Sequence, residues 1–384
     1  MDAPSSSKDR IPFVKSSGRR LQAIDVMRGL VIALMAVDHS SGEFNAGRLM
    51  ADGAFLFKPG TPLPPAQFFT RWITHLCAPT FVFLAGTSLA ISLSRRVREG
   101  ASAGSIDRHL LTRGLVIAGF EIVPSYFWME PGKYLLQVLY AIGTSFLFMI
   151  PLRRFSPPIL AGLAVFILCF GEAVTGMFGW GPPDTTPLLA ALLLVPGARG
   201  HVIVAYPTLY WLAIMLLGYY FGSTIDRGAD QETTRKRLLL GGVALLSVFA
   251  VVRGVNGYGN MRLYREGSSI VQWLHVSKYP PSLAYAALEL GLGALILWVI
   301  MGLVRRRPVS DRNILLVIGR TPMFFYVLHI PALALAATLL GFAHRLGIGA
   351  AFGFALLVTL LLYPLCMYYG RFKGAHPRTV LDYL

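Results

Sequence analysis

Apolar runs of about 18 or more residues recur along the whole of this chain, and no other feature limits its possible folds as much. As helices rising ~1.5 Å per residue, the runs are about long enough to cross a hydrocarbon layer ~30 Å thick, the third and seventh of the ten being short. Lipid offers no water to bare backbone groups, so a spanning segment of this length closes its hydrogen bonds within itself, as a helix. The pattern predicts ten spans, at about 21–41, 67–94, 114–130, 134–152, 157–176, 206–224, 238–252, 283–304, 321–341 and 349–370, with 314–341 also readable as one long broken helix. The expected fold is an all-α polytopic membrane protein of about ten transmembrane helices.

Charge sets the orientation. Of 384 residues only 14% are charged, against roughly 25% in ordinary soluble domains, yet the net charge is +16. The basic residues gather at Arg19–Arg20, Arg95–Arg96–Arg98, Arg153–Arg154, Arg235–Lys236–Arg237, Arg305–Arg306–Arg307 and Arg371–Lys373. With the N-terminus in the cytoplasm all of these fall on that side, as the positive-inside rule requires, and so does the C-terminus. A nucleic-acid surface needs one contiguous basic face with aromatics among it, and no region supplies one, so no nucleic-acid partner is expected. Residues 1–20 read as a cytoplasmic polar tail, 21–370 as a single transmembrane domain and 371–384 as a second cytoplasmic tail. The first apolar run is too long for a signal-peptide core and lacks an A-x-A cleavage site, so it is expected to stay as a span. Cys77, Cys169 and Cys366 lie inside predicted spans, and their odd number argues against a disulfide framework or structural zinc; no metal is expected.

The outward connections are the long ones: about 42–66, 177–205, 253–282 and 342–348. A scaffold whose long loops face one way commonly works on something there. Leu188 to Val195 is too short to span and reads as an interfacial or re-entrant helix. The third loop holds Arg253, Arg262 and Arg265, either as a solvated loop or as a surface for polar or anionic acceptor groups.

Ionisable residues inside spans are costly and call for a reason. The first span concentrates them: Asp25, Arg28, Asp38 and His39 in IDVMRGLVIALMAVDH. At ~100° per residue, Arg28 and His39 return to the same helix face ~16 Å apart, and Asp25 is placed to pair with Arg28. Asp38 lies off that face and can orient a neighbouring helix. His75 falls near the outer end of the second span, in the layer of His39. Arg320 interrupts the ninth span near the cytoplasm, where it could meet a phosphate, and His329 sits deeper. Glu121, Glu172 and Glu289 are further intramembrane carboxylates; each could pair with Arg or His across the bundle, and sequence alone assigns no partner. A histidine at the outer end can serve as general base toward an acceptor hydroxyl or amine. Cations at the inner end can hold a phosphorylated donor. A donor joining the two must thread the bundle, and an acyl-coenzyme A has that shape. The competing reading is a transporter or flippase for a polar or anionic substrate, without covalent chemistry.

The strings DVMRGLVIALMAVDH, HLCAPTFVFLAGTS, YPTLYWLAIMLLGYYFG, VSKYPPSL and GRTPMFFYVLH together resemble the bacterial relatives of heparan-alpha-glucosaminide N-acetyltransferase, over about residues 20–370. Arg28 with a histidine eleven residues on also resembles the first-span motif of the acyltransferase-three family of sugar O-acyltransferases. The resemblance implies a multi-pass protein of the bacterial inner membrane that moves an acyl group, usually acetyl, from cytoplasmic acetyl-CoA to an extracytoplasmic glycan or glycolipid. Asp38, Asp25, Arg320 and His329 are site candidates from their charge placement. The resemblance supports His39 as base, with His75 the other candidate, and Arg28 as a structural or donor-side group; Lys278 and Tyr279 of the family-like KYPP segment are candidate wall residues. A homo-oligomer is compatible with it. One departure stands out: the heparan enzyme carries its proposed active histidine in the loop between the first two spans, and residues 42–66 contain none.

Overall fold

In a computed structural model, residues 19–177, 183–228 and 230–376 are described. Most of the predicted N-terminal tail and residues 377–384 of the C-terminal one lie outside them. The described chain is mostly helical, and every predicted apolar stretch contains helix. The first helix, α1 (Arg19–Phe44), stands amid the others. A broken pair follows, α2 (Pro65–Trp72) and α3 (Cys77–Arg98), then a second, α4 (Ala103–Gly119) and α5 (Ile122–Trp128). Next come α6 (Val138–Leu152), α7 (Pro157–Met177), the short α8 (Leu188–Leu193), α9 (Thr208–Asp226) and α10 (Gln231–Val255). The remainder is α11 (Ile270–Leu274), α12 (Leu283–Arg306), α13 (Ile314–Arg320), α14 (Pro322–Leu339) and α15 (Ile348–Ala375).

Among the described residues, eight helical stretches are long and apolar enough to cross a membrane, with α2–α3 and α4–α5 each counting as one. Two of the ten predicted segments fall short of that measure. Helix α6 has 15 residues, and α1, though 26 residues long, carries Asp25, Arg28 and Asp38 along its length. Helix ends follow local chemistry. Asp230 and Ser282 accept hydrogen bonds from the N–H groups of Thr233 and Tyr285 and so cap α10 and α12. The Gly319-Arg320-Thr321-Pro322 run breaks the ninth stretch into α13 and α14, since proline removes a helical donor and restrains the residue before it.

The departure from an all-α expectation is a small sheet: β1 (Tyr134–Leu136), β2 (Gly197–Arg199) and β3 (Val202–Val204), in the order β1-β3-β2. Strand β1 runs parallel to β3, with Tyr134 opposite Val202, and β2–β3 is a tight hairpin. At three residues each, the strands leave no periodicity for a sequence reading to find.

Helix α1 packs against α3 and α12 on one side and α13, α14 and α15 on the other. Helices α6 and α7 reach the bundle through α9, which lies on α3, while α10 leans on α12. The crossing of α1 with α13 is unusually close. A Cβ on Gly29 would strike the Leu315 carbonyl, and one on Gly319 would strike the Asp25 carbonyl. Only hydrogen side chains permit that approach. It brings the arginines beside the two glycines, Arg28 and Arg320, to the same carboxylate.

Candidate active site

Near the C-terminal end of α1, His39 Nδ1 lies 2.7 Å from Nε2 of His329 on α14, the two rings stacked 5.0 Å apart. His329 is fully buried, and its Nδ1 is 3.0 Å from the carbonyl oxygen of Phe325, one turn back on the same helix. These contacts fix the protons. A carbonyl only accepts, so His329 Nδ1 carries its hydrogen; in a neutral ring Nε2 is then bare and must accept from His39. His39 therefore bears its proton on Nδ1, and its own Nε2 holds a lone pair that accepts no hydrogen bond among the described residues. His39 is partly exposed, with the Trp128 ring edge-on at 4.8 Å and Tyr326 at 6.1 Å. The Tyr326 hydroxyl is buried with no hydrogen-bond partner among the described residues, as is Oε1 of Glu121.

His75 occupies different surroundings. It sits in the turn between α2 and α3, with Nε2 3.2 Å from Asp52 Oδ1 but off any hydrogen-bond axis. The neighbouring Arg71 donates from Nε to Asp52 Oδ2 at 2.6 Å and also pairs with Asp38, which takes a second arginine, Arg48, at 3.0 Å. The result is a continuous ionic lattice, Arg48–Asp38–Arg71–Asp52, with His75 at its end. Burial pushes the Asp52 carboxyl up, but Arg71, then His75 and Lys278, outweigh it and hold the group well below the usual carboxylate range. Asp38 thus does orient a neighbouring element: it holds α2 through Arg71.

Lys278 and Tyr279 precede α12, and both backbone N–H groups donate to the Asp52 carbonyl, at 2.7 and 3.1 Å. The Lys278 ammonium is buried over the Tyr279 and Tyr206 rings, 5.3 and 5.8 Å from their centroids. Burial pushes the Tyr279 phenol up, yet Lys278 and Arg71 hold it below the usual range. This corner carries a surplus of positive charge.

At the other end of α1, Arg28 donates to Asp25 at 2.8 Å and to Ser88 of α3. Arg320 Nε lies 3.8 Å from the second Asp25 oxygen and Arg320 also pairs with Asp311 at 3.0 Å. All three Asp25-site side chains are about a fifth exposed, so the guanidinium pair is open to a ligand.

The predicted residues thus divide into three groups: His39 with His329, His75 with Asp38 through the lattice, and Arg28 with Asp25 and Arg320. Among the described residues no ring contact joins His39 to His75. The sequence reading had not singled out Arg71 or Asp52. Arg71 was detectable as a cation inside an apolar stretch, one turn before His75; Asp52, in an irregular loop, had no such signal. Two expectations are corrected. Arg253 is not an acceptor surface: it is wholly buried, donating to the carbonyls of Leu263, Gln272, Trp273 and His275 and to Asn260 Oδ1. Arg265 donates to the Arg253 carbonyl and stacks on Trp273 at 4.3 Å, so both arginines hold the loop's own backbone. Nor, among the described residues, do the intramembrane carboxylates form an ion pair with Arg or His: Glu121 and Glu172 accept the N–H groups of Tyr140 and Gly259, and Glu289 makes no ion pair. Among those residues no group of three or more His, Cys, Asp or Glu is placed to hold a metal ion.

Residues 20–250 match the family model described as heparan-alpha-glucosaminide N-acetyltransferase, catalytic. The matched stretch contains His39, His75 and Arg28 and stops short of Lys278, Arg320 and His329. No curated protein matches the chain.

Proposed function

From the premise that the chain belongs to the heparan-alpha-glucosaminide N-acetyltransferase catalytic family, we propose that it is a membrane acyltransferase moving an acyl group, acetyl by the family's name, from cytoplasmic acyl-CoA to a hydroxyl or amine of an extracytoplasmic sugar or glycolipid. Residues 21–370 form one domain of ten spans, with both termini in the cytoplasm. Ion pairs support this topology by joining the basic helix ends to one another: Arg98 to Asp226, Arg153 to Asp107 and Arg305 to Glu232.

The observation that carries the reading is the one-way hydrogen-bond chain from His39 through His329 to the Phe325 carbonyl. It leaves His39 Nε2 free to act as general base. In the proposed reaction this nitrogen takes the proton from the acceptor hydroxyl or amine while the acceptor atom attacks the thioester carbonyl. As His39 becomes cationic, its Nδ1–H bond to His329 gains charge assistance. The tetrahedral intermediate then collapses, the C–S bond breaks, and the proton on Nε2 passes to the departing thiolate. The unpartnered Tyr326 hydroxyl is a donor for the carbonyl oxygen as its negative charge grows. Arg28 and Arg320, about 16 Å away along the bundle, bind donor phosphates, and Lys278 and Tyr279 line the acceptor side. His75 supports the site through Asp52 and Arg71.

The test uses purified protein and acetyl-CoA labelled in its acetyl group, with transfer measured to membrane glycolipid. His39→Ala is expected to abolish transfer while leaving the thermal midpoint in place. Full activity in that variant overturns the role given to His39. Substrate movement without any acylation would instead favour the transporter reading.

A further inference from the structure

A cavity of about 600 Å³ opens away from the histidines, bounded by α7 on one side, by α10 and α12 on the other, and floored by α3 and α9. Neither His39, His75, His329 nor Lys278 lines it. Its walls are mostly hydrocarbon, broken by the hydroxyl-bearing Thr80, Tyr220 and Thr224. Leu238, Gly241, Leu245 and Val248 share one face of α10 at helical spacing, and Ala287 and Ala294 on α12 keep the facing wall low.

The two ends differ. At one, the loop after α10 is tied across to α7, with the Tyr258 hydroxyl donating to the Cys169 carbonyl at 2.7 Å and the Gly259 N–H to Glu172 at 2.6 Å. Cys169 lines the cavity there, so the tie shuts that end. At the other end stands Arg237, exposed and without an ion pair among the described residues. From Arg237 to Val248 is ~16 Å along α10, about half the ~30 Å hydrocarbon thickness, or one leaflet. The rim residues Val165, Tyr220 and Val248 are exposed, so the groove opens sideways, off the bundle.

We infer that this groove binds one hydrocarbon chain of an anionic phospholipid of the cytoplasmic leaflet, with the lipid phosphate against Arg237. The choice of leaflet rests on the proposed cytoplasmic position of Arg235–Lys236–Arg237; the groove itself does not depend on the acyltransferase reading. Chain length, a closed far end and a cation at the mouth each match a phosphate-headed lipid. The thioester donor fits poorly, because its pantetheine amides would meet a wall with little to hydrogen-bond them.

Native mass spectrometry tests this on the purified full chain, incubated with equal amounts of phosphatidylglycerol and phosphatidylcholine. Both lipids carry a phosphate, but the quaternary ammonium of phosphatidylcholine offsets its charge and is repelled by Arg237, so phosphatidylglycerol is expected to be retained about tenfold over it, roughly 1.4 kcal/mol. A Cβ at position 241 meets nothing within 4 Å, so Gly241→Trp fills the groove without disturbing the backbone; it should lose both lipids at an unchanged thermal midpoint. Arg237→Gln should keep the chain and lose the preference, and excess inorganic phosphate should displace nothing. Undiminished lipid on Gly241→Trp, equal retention of the two lipids by the wild type, or displacement by phosphate alone would overturn the inference. Acetyl transfer read on the same samples separates the two proposals, since lipid retained by a protein without transferase activity counts against the proposed function only.

Discussion

His39 and His75 are both imidazoles lodged among aromatic rings, yet their surroundings differ in kind. His39 is held by neutral partners, another imidazole and a backbone carbonyl, and one of its nitrogens remains free. His75 ends a chain of alternating charges in which Arg71 touches both Asp38 and Asp52. A neutral relay fixes a tautomer and leaves a base available. An ionic lattice fixes backbone segments, here the loop after α1, helix α2 and the segment before α12. Under the proposed function, proton transfer belongs to the first region and support to the second.

The largest expected effect tests that assignment directly. His39→Ala should lower the transfer rate by about 10²–10⁴-fold, the range of general-base contributions, whereas His75→Ala should cost far less rate in the protein that still folds. A reversed order, measured as initial rates on samples of matched thermal midpoint, breaks the comparison. His329→Phe comes next. With no acceptor for the His39 Nδ1 proton the tautomer is no longer fixed, so kcat should fall about 10²-fold with KM little changed, and the acidic limb of the pH–rate profile should move. An unmoved profile would reduce His329 to a packing residue.

The lattice makes a different prediction, in stability. Arg71→Met leaves two buried carboxylates with less compensation and should cost about 3–5 kcal/mol, read as a collapse of the thermal midpoint or of folded yield. Asp52 adds a pH dependence. Its folded pKa is depressed, so the unfolded chain binds a proton more readily. Its stabilising contribution is complete above the unfolded value of about 3.9 and declines as pH falls below it. A stability curve flat from neutral pH to about 3 would contradict this. The smallest effect belongs to the Asp25 end of α1: Arg28→Met should raise KM for acetyl-CoA about tenfold at similar kcat, the scale of one charge-assisted hydrogen bond.

Much of this arrangement was legible beforehand. The pairing of Asp25 with Arg28 follows from helical spacing alone, and the break at Gly319–Pro322 from proline chemistry. Charge inside apolar stretches marked His39, His75, Asp38, Arg320 and His329. Spacing does not carry across elements, however. It placed His75 in a common layer with His39, but the imidazole stacked on His39 is His329, 290 residues away in the chain. Arg253 looked like a binding cation because sequence records charge and not the carbonyls folded around it.

The sequence by itself determined a helical, apolar chain and the family to which it belongs, because helix length, hydropathy and local motifs are written within single segments. It also determined which helix would concentrate the costly charges. Only the tertiary structure decided which nitrogen of His39 is free, which carboxylates share Arg71, and that Arg28 and Arg320 meet at Asp25. Those are contacts between segments far apart in the chain. Their geometry depends on close approaches such as that of Gly29 and Gly319, whose consequences no local pattern encodes.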